Sequence, residues 1–393
     1  MNNKIFILTD FNSAETTIIT HKLLIKYLIK EFEKVVFIDI SNFILFKKPK
    51  KNFLYLKKKY PDIDFISFQN SRDFSIFFKK FKNKISINNF GKRFEDLYIH
   101  YLVKKNSIKQ FKILNVDVVT QSVVIEKKHF VKKFFHFLNN KVSSFIINIL
   151  TGLNLLNKID ICFTTNKSIF LNNSQCGFIR KKFLFYKRVI LVNSSAYDMC
   201  FDNKGNVDNK HILYIDYNLN HIENLKEGKK QSELEIKQHY SRVNKFLTYL
   251  KNLYKKKVIV SIHPQYSLKT TKKLLKNFKI YKNRTFELIK KSEIVTLFNS
   301  TSINPAFIMK KKIIYLSTKK VGLRRFNEFN TYPRRSGSLV IDIDDKLDFS
   351  KLDLVKKFKK NKKKVDSFTM KYLRINQKIP SYKKIISEIK KYA

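Results

Sequence analysis

The chain has 393 residues, of which 44% are hydrophobic and 14% aromatic, a balance that excludes a disordered chain and leaves room for two domains with separate cores. Lys and Arg number 81 against 31 Asp and Glu, a formal charge of +50, but only 11 of the cations are Arg. No zinc-finger spacing, helix-turn-helix signature or aromatic-basic RNA motif goes with them, so no nucleic-acid partner is expected, and attraction to an anionic inner-leaflet membrane surface is the favoured use of the charge. Cys162, Cys176 and Cys200 are odd in number and lack CxxC spacing, which excludes a disulfide framework or a zinc site and fits a reducing cytoplasm.

"KIFILTD" (Lys4 to Asp10) predicts a first strand, too short to be the apolar core of a signal peptide. The helical pattern "ITHKLLIKYLIKEF" and the strand "KVVFIDI" follow, a β-α-β opening. Further strands are expected at "DFISF", "VDVVTQ", "IDICFTT" and "RVILVN". Between them, residues 130–158 carry an apolar stretch of about 15 residues, short of the roughly 20 that a spanning helix needs. That stretch is either a buried helix pair or an interfacial helix seated on the inner leaflet.

The polar "DNKGNVDNKH" (Asp202 to His211) reads as an interdomain connection. Beyond it strands and helices alternate again: "ILYID", "ELEIKQHYSRVNKFLTYLKNLY", "KVIVSIHP", "TKKLLKNF", "KIYK", "TFELIKKS", "EIVTLFNS", "SINPAFIMKK", "KIIYLS". The expected architecture is α/β: a Rossmann-like domain over 1–200, a second over 201–350, and a C-terminal helical segment over 351–393.

"VIVSIHPQYS" ends an apolar, β-branched run on His263 because Pro264 cannot continue a ladder, which sets the imidazole at the carboxyl edge of a sheet. Ligands sit at that edge in open α/β folds. "LFNSTSINPAF" ends another strand in Asn299, Ser300, Thr301 and Ser302, with Pro305 in the first turn of the next helix. Free amides and hydroxyls there form either an anion site or an ordinary helix cap. A protonated His263 opposite them would donate to a phosphate and stabilise a departing nucleotide. The chain has no GxGxxG and no P-loop motif. The DxD spacings in "PDIDF" and "VIDIDDKL" lack a nucleotide-sugar context, so neither a metal nor any cofactor is expected.

"KVIVSIHPQ" with "TFELIKKSEIVTLFNSTSINPAFIMKKKIIYLST" resembles the C-terminal domain of bacterial GT-B glycosyltransferases of capsule, lipopolysaccharide and O-antigen biosynthesis. The His-Pro and Ser/Thr motifs are similar to those of bacterial sialyltransferases, polysialyltransferases and Kdo transferases, which use CMP-sugars. The resemblance covers about His211 to Thr318. It implies two Rossmann-like domains facing a central cleft with C-terminal helices packing back. It further implies that His263 contacts the donor phosphate, that Ser300 and Thr301 bind phosphate or ribose, and that Asp216 faces the cleft. Thr285 and Glu287 either hold the nucleotide or simply open a helix. The general base of an inverting transfer would come from the N-terminal domain, where Asp10 is favoured over Glu95 and Asp96.

The expectation is a metal-independent, inverting glycosyltransferase, cytoplasmic and peripheral on the inner membrane. It would move a sugar, such as a nonulosonic acid, from a nucleotide-sugar donor to a glycan or lipid-linked acceptor. Polyol-phosphate transfer from a CDP-polyol and nucleic-acid binding are the alternatives.

Overall fold

The computed structural model describes residues 4–9, 14–15, 17–18, 21–43, 54–81, 84–89, 96–114, 142, 145–165, 186–202, 208–217, 219, 230–263, 266–298, 300–321, 333–344, 352–373 and 379–392. Asp10, Glu95, Pro264 and Asn299 lie outside them, as do the strand expected at "VDVVTQ" and much of 130–158.

The described chain divides into two compact units, the first formed by residues up to 114, 142–198 and 379–392, the second by 199–373. The first unit is built on seven strands: β1 (Lys4–Thr9), β2 (Lys34–Asp39), β3 (Asp64–Ser67), β4 (Ile85–Asn88), β5 (Lys109–Leu114), β6 (Ile159–Thr164) and β7 (Tyr186–Leu191). They form one sheet in the order β3-β2-β1-β4-β5-β6-β7, every pair parallel. Parallel strands are covered on both faces, which is why β1 is apolar at successive positions. Ile5 and Ile7 enter one core while Phe6 and Leu8 enter the other. The helix Lys22–Glu31 covers the first face with Leu24, Ile25 and Leu28, and the helix Ser71–Lys79 covers the second with Phe74 and Phe78.

The helix Ser381–Lys390 also belongs to this unit. Tyr382, Ile385, Ile386 and Ile389 join the core of the first face, and Tyr382 stacks on Tyr27 with ring centroids 4.2 Å apart. Its start is held by Asp198, whose carboxylate accepts the Ser381 amide at 2.7 Å and the Ser381 hydroxyl.

The second unit repeats the plan with β8 (His211–Ile215), β9 (Lys257–Ile262), β10 (Lys279–Lys282), β11 (Ser292–Leu297), β12 (Lys312–Ser317) and β13 (Leu339–Asp342). Their order is β10-β9-β8-β11-β12-β13, again all parallel. The helix Glu233–Tyr254 starts at a capping box in which the Ser232 hydroxyl accepts the Glu235 amide and Glu235 accepts the Ser232 amide. The helix Leu354–Tyr372 closes the unit through Leu354 and Phe368. In each sheet the connections reverse direction about the first strand, between β1 and β4 and between β8 and β11. Such switch points open a crevice at the carboxyl ends of the strands. Among the described residues no helix is long and apolar enough to cross a membrane.

Candidate functional site

Four neighbouring strands of the second sheet, β10-β9-β8-β11, end at the same edge. The ladder aligns Ile215 with Ser261 and Leu297, and Lys282 with Ile262, so Asp216, His263 and Lys282 leave the sheet within about one residue of one another, and Ser300 follows shortly after β11. Adjacent strands lie about 4.8 Å apart, which sets the ends of β9 and β11 roughly 10 Å apart across the switch point.

Asp216 continues β8 by one rung, its amide donating to the Ser261 carbonyl at 2.9 Å. Its carboxyl is buried, at 6% exposure, and both oxygens accept from the Tyr240 hydroxyl at 3.2 and 3.1 Å. Burial pushes its pKa up to about 6 while the Tyr240 hydrogen bond draws it back down. The Tyr214 hydroxyl lies within electrostatic reach of the same carboxylate, outside hydrogen-bonding geometry. Behind this group His239 is fully buried between Tyr240 and Phe298, ring centroids 5.4 and 5.1 Å away, and burial drives its pKa down to about 3.

His263 is exposed, and its ring sits 5.2 Å from that of Tyr266. Partial desolvation, then the charge of Lys282, lower its pKa below the ordinary imidazole value. Lys282 is itself placed by a hydrogen bond of 3.2 Å to the Tyr266 carbonyl.

The remaining candidates divide. The Thr285 hydroxyl is bonded to that of Ser261 at 2.7 Å, tying the helix Thr285–Lys291 to the end of β9. Glu287 is exposed and paired with Arg284 at 2.7 Å, a local contact that leaves the acid on the helix surface. Ser300 accepts the Ser302 amide at 3.2 Å and its carbonyl accepts the Ile303 amide, so its hydroxyl caps the turn Thr301–Ile303. The following helix, Asn304–Ile308, has five residues, and its dipole is correspondingly short.

Sequence reasoning did not single out Tyr240 or Lys282, since an aromatic in a long amphipathic helix and one lysine among many carry no local mark. It also passed over His21. Beside β1 and β4 a small cavity of about 20 Å³ is lined by Thr17, His21, Asn88 and Asn89 among others, and burial lowers His21 to about 4. Asn89 donates to Thr17 at 2.7 Å and to Thr9 at 3.3 Å. Asp96 is described and buried, at the start of the helix Leu97–Lys105. Asp344, in the expected DxD stretch, is committed to structure: it accepts from Arg242 at 2.6 Å, Thr318 at 2.8 Å and the Lys319 amide at 2.7 Å. Among the described residues no three His, Cys, Asp or Glu gather in a metal-binding arrangement.

No protein-family model matches the chain, and no curated protein matches it in sequence. Solved structures match it along nearly its whole length. MurG of Acinetobacter baumannii superposes with a TM-score of 0.51 at 8% identity, covering 99% of this chain and 99% of that one. The wall teichoic acid polymerase TagF gives 0.51 at 12% identity, covering 99% and 88%. S. aureus MnaA, solved with UDP, gives 0.50 at 14% identity, covering 99% and 96%. These likenesses establish the fold, which is GT-B-like: two Rossmann-like parallel sheets with a C-terminal helix returning to the first unit.

Proposed function

We propose that the chain is a glycosyltransferase that binds a nucleotide-activated sugar at the carboxyl edge of the second sheet and transfers the sugar to a glycan or lipid-linked acceptor of a bacterial surface polysaccharide. The observation that carries this reading is the row Lys282, His263, Asp216 and Ser300 on four adjacent strand ends at a topological switch point. The fold shared with S. aureus MnaA, which was solved with UDP, agrees with it.

In the reaction, an acceptor oxygen bonds to the anomeric carbon as the bond from that carbon to the donor phosphate breaks with inversion. The electron pair leaves with the nucleotide, and the acceptor proton passes to a base of the first unit. Asp10, directly after β1, is assigned that role. His263 donates an N–H to the departing phosphate, and Lys282 supplies positive charge beside it, so the scheme needs no metal. Pro264, next in sequence after the histidine, is assigned to the donor site with it. Thr285 holds the end of β9, and Asn299, Ser300, Thr301 and Ser302, which follow β11 in sequence, are assigned to the ribose and phosphates. Asp216, with both oxygens turned to Tyr240, is a positioning residue for that phenol. A CMP-activated nonulosonic acid is the donor we assign from the His-Pro and Ser/Thr motifs. The protein would work in the cytoplasm, peripheral on an anionic inner leaflet, where its lysines are attracted by roughly 1 kcal/mol each near the surface.

Thermal denaturation with CMP, CDP, UDP and GDP tests the donor site. A nucleotide at 100 times its Kd stabilises by about 2.7 kcal/mol. CMP should raise the midpoint most, and His263→Ala should reduce that shift and cut nucleotide release by roughly 10²-fold while the fold is kept. If none of the four nucleotides moves the midpoint, the reading fails. If CDP alone does, and a CDP-polyol is turned over, the chain transfers polyol phosphate instead.

A further inference from the structure

The second unit has a cavity at the opposite edge of its sheet from the row of strand ends. It has a volume of about 370 Å³, within the usual range for ligand pockets, and lies between the helix Leu354–Tyr372 and the starts of β12 and β13. Ile313, Leu339, Val355, Phe358 and Val365 give it apolar walls. Lys310, Lys359 and Lys362 also line it, their side chains exposed and without an ion-pair or hydrogen-bond partner among the described residues, and Asp366 lines it as well. Val355, Lys359 and Lys362 repeat at helical spacing, so one face of the helix carries both apolar and cationic lining.

Gly337 makes the closure possible. It sits at φ +73°, and a Cβ there would meet the Lys364 side chain at 2.7 Å, so only glycine lets the helix pack this closely on the turn before β13. The helix itself bears eight Lys against one Asp, and Val355 is left 65% exposed beside the opening.

We propose that this cavity takes one acyl chain of an anionic phospholipid whose phosphate is held by Lys310, Lys359 and Lys362. Charge complementarity selects the occupant: apolar walls with a cationic mouth fit a molecule that joins a hydrocarbon chain to a phosphate, and a neutral lipid or a fully hydrated anion satisfies only half of it. The proposal gives the peripheral membrane placement described above a definite address. It rests on that placement and not on the donor chemistry.

The test measures binding of the full chain to phosphatidylglycerol vesicles and to monomeric dodecyl phosphate below its micelle concentration, with inorganic phosphate, dodecyl maltoside and a single-stranded oligonucleotide as separate probes. Dodecyl phosphate should bind one per chain. The variant K359E/K362E should weaken that binding and vesicle binding at least tenfold. The variant K269E/K272E, with the same change in charge on the exposed helix Leu268–Leu274, should leave dodecyl phosphate binding unchanged and vesicle binding within about twofold. Equal losses in the two variants would overturn the pocket in favour of diffuse charge. Inorganic phosphate binding as tightly as dodecyl phosphate would overturn the acyl-chain part, and an oligonucleotide outcompeting the vesicles at the same two lysines would make this a nucleic-acid face. If the unaltered chain ignores phosphatidylglycerol altogether, the membrane placement fails, an outcome distinct from vesicle binding that survives K359E/K362E.

Discussion

At the scale of single residues, Asp216 offers the sharpest pH signature. Its carboxyl holds a proton to about pH 6 in the folded chain against an ordinary value of 3.8, so between those limits the folded state binds more protons than the unfolded one. Stability therefore falls as pH rises through that window, by on the order of 3 kcal/mol from this group alone. Asp216→Asn lacks the titration, and the stability of the variant relative to the unaltered chain should rise between pH 4 and 7 in urea denaturation. A difference that stays flat with pH would show that the carboxyl is not buried as described. His263 was legible in sequence because a Pro after a buried strand marks the strand's end. Asp216 was legible as the residue after "ILYI". Their partners were not: Tyr240 sits 24 positions from Asp216 in the interior of the helix Glu233–Tyr254, and only the tertiary fold turns its hydroxyl to the carboxylate.

At the scale of elements, the apolar runs of β1, β2, β8, β9, β11 and β12 stood out because strands buried on both faces must be hydrophobic at successive positions. β4 (ISIN) and β5 (KQFKIL) did not, since both carry polar residues inward. Asn88 donates to Gln110 at 2.6 Å between those two strands, and Ser86 donates to Asn88 at 2.8 Å, so the polar groups satisfy one another inside the sheet where a sequence pattern reads only interruption. The helix Glu233–Tyr254, by contrast, matches its expected 22 residues because its ends are written locally, in a capping box and in Lys255, which stops it in the left-handed region at φ 49°. Ser232→Ala should cost roughly 0.5–2 kcal/mol, measured as a lower urea midpoint with an unchanged slope. Because that helix positions Tyr240, the same variant should also broaden the pH response of Asp216.

At the scale of the whole molecule, two sheets with one topology were foreseeable from the alternation of strands and helices, and the return of the last helix was implied by the GT-B resemblance, whereas the division of the C-terminal segment between the two units was not. The helix Leu354–Tyr372 belongs to the second unit and the helix Ser381–Lys390 to the first. Ile389→Ala removes a fully buried side chain from the first core and should cost about 2–5 kcal/mol. Hydrogen exchange should then lose protection in the helix Lys22–Glu31 and keep it in the helix Glu233–Tyr254; uniform loss in both would mean that the two units unfold as one. The same helix sets an order on synthesis. Domains begun at the N-terminus commonly fold while the rest is still being translated. Here the ribosome must finish the entire second unit before Tyr382, Ile385, Ile386 and Ile389 exist to cover the first one, so the domain started earliest is completed last and exposes a sticky flank to chaperones throughout elongation.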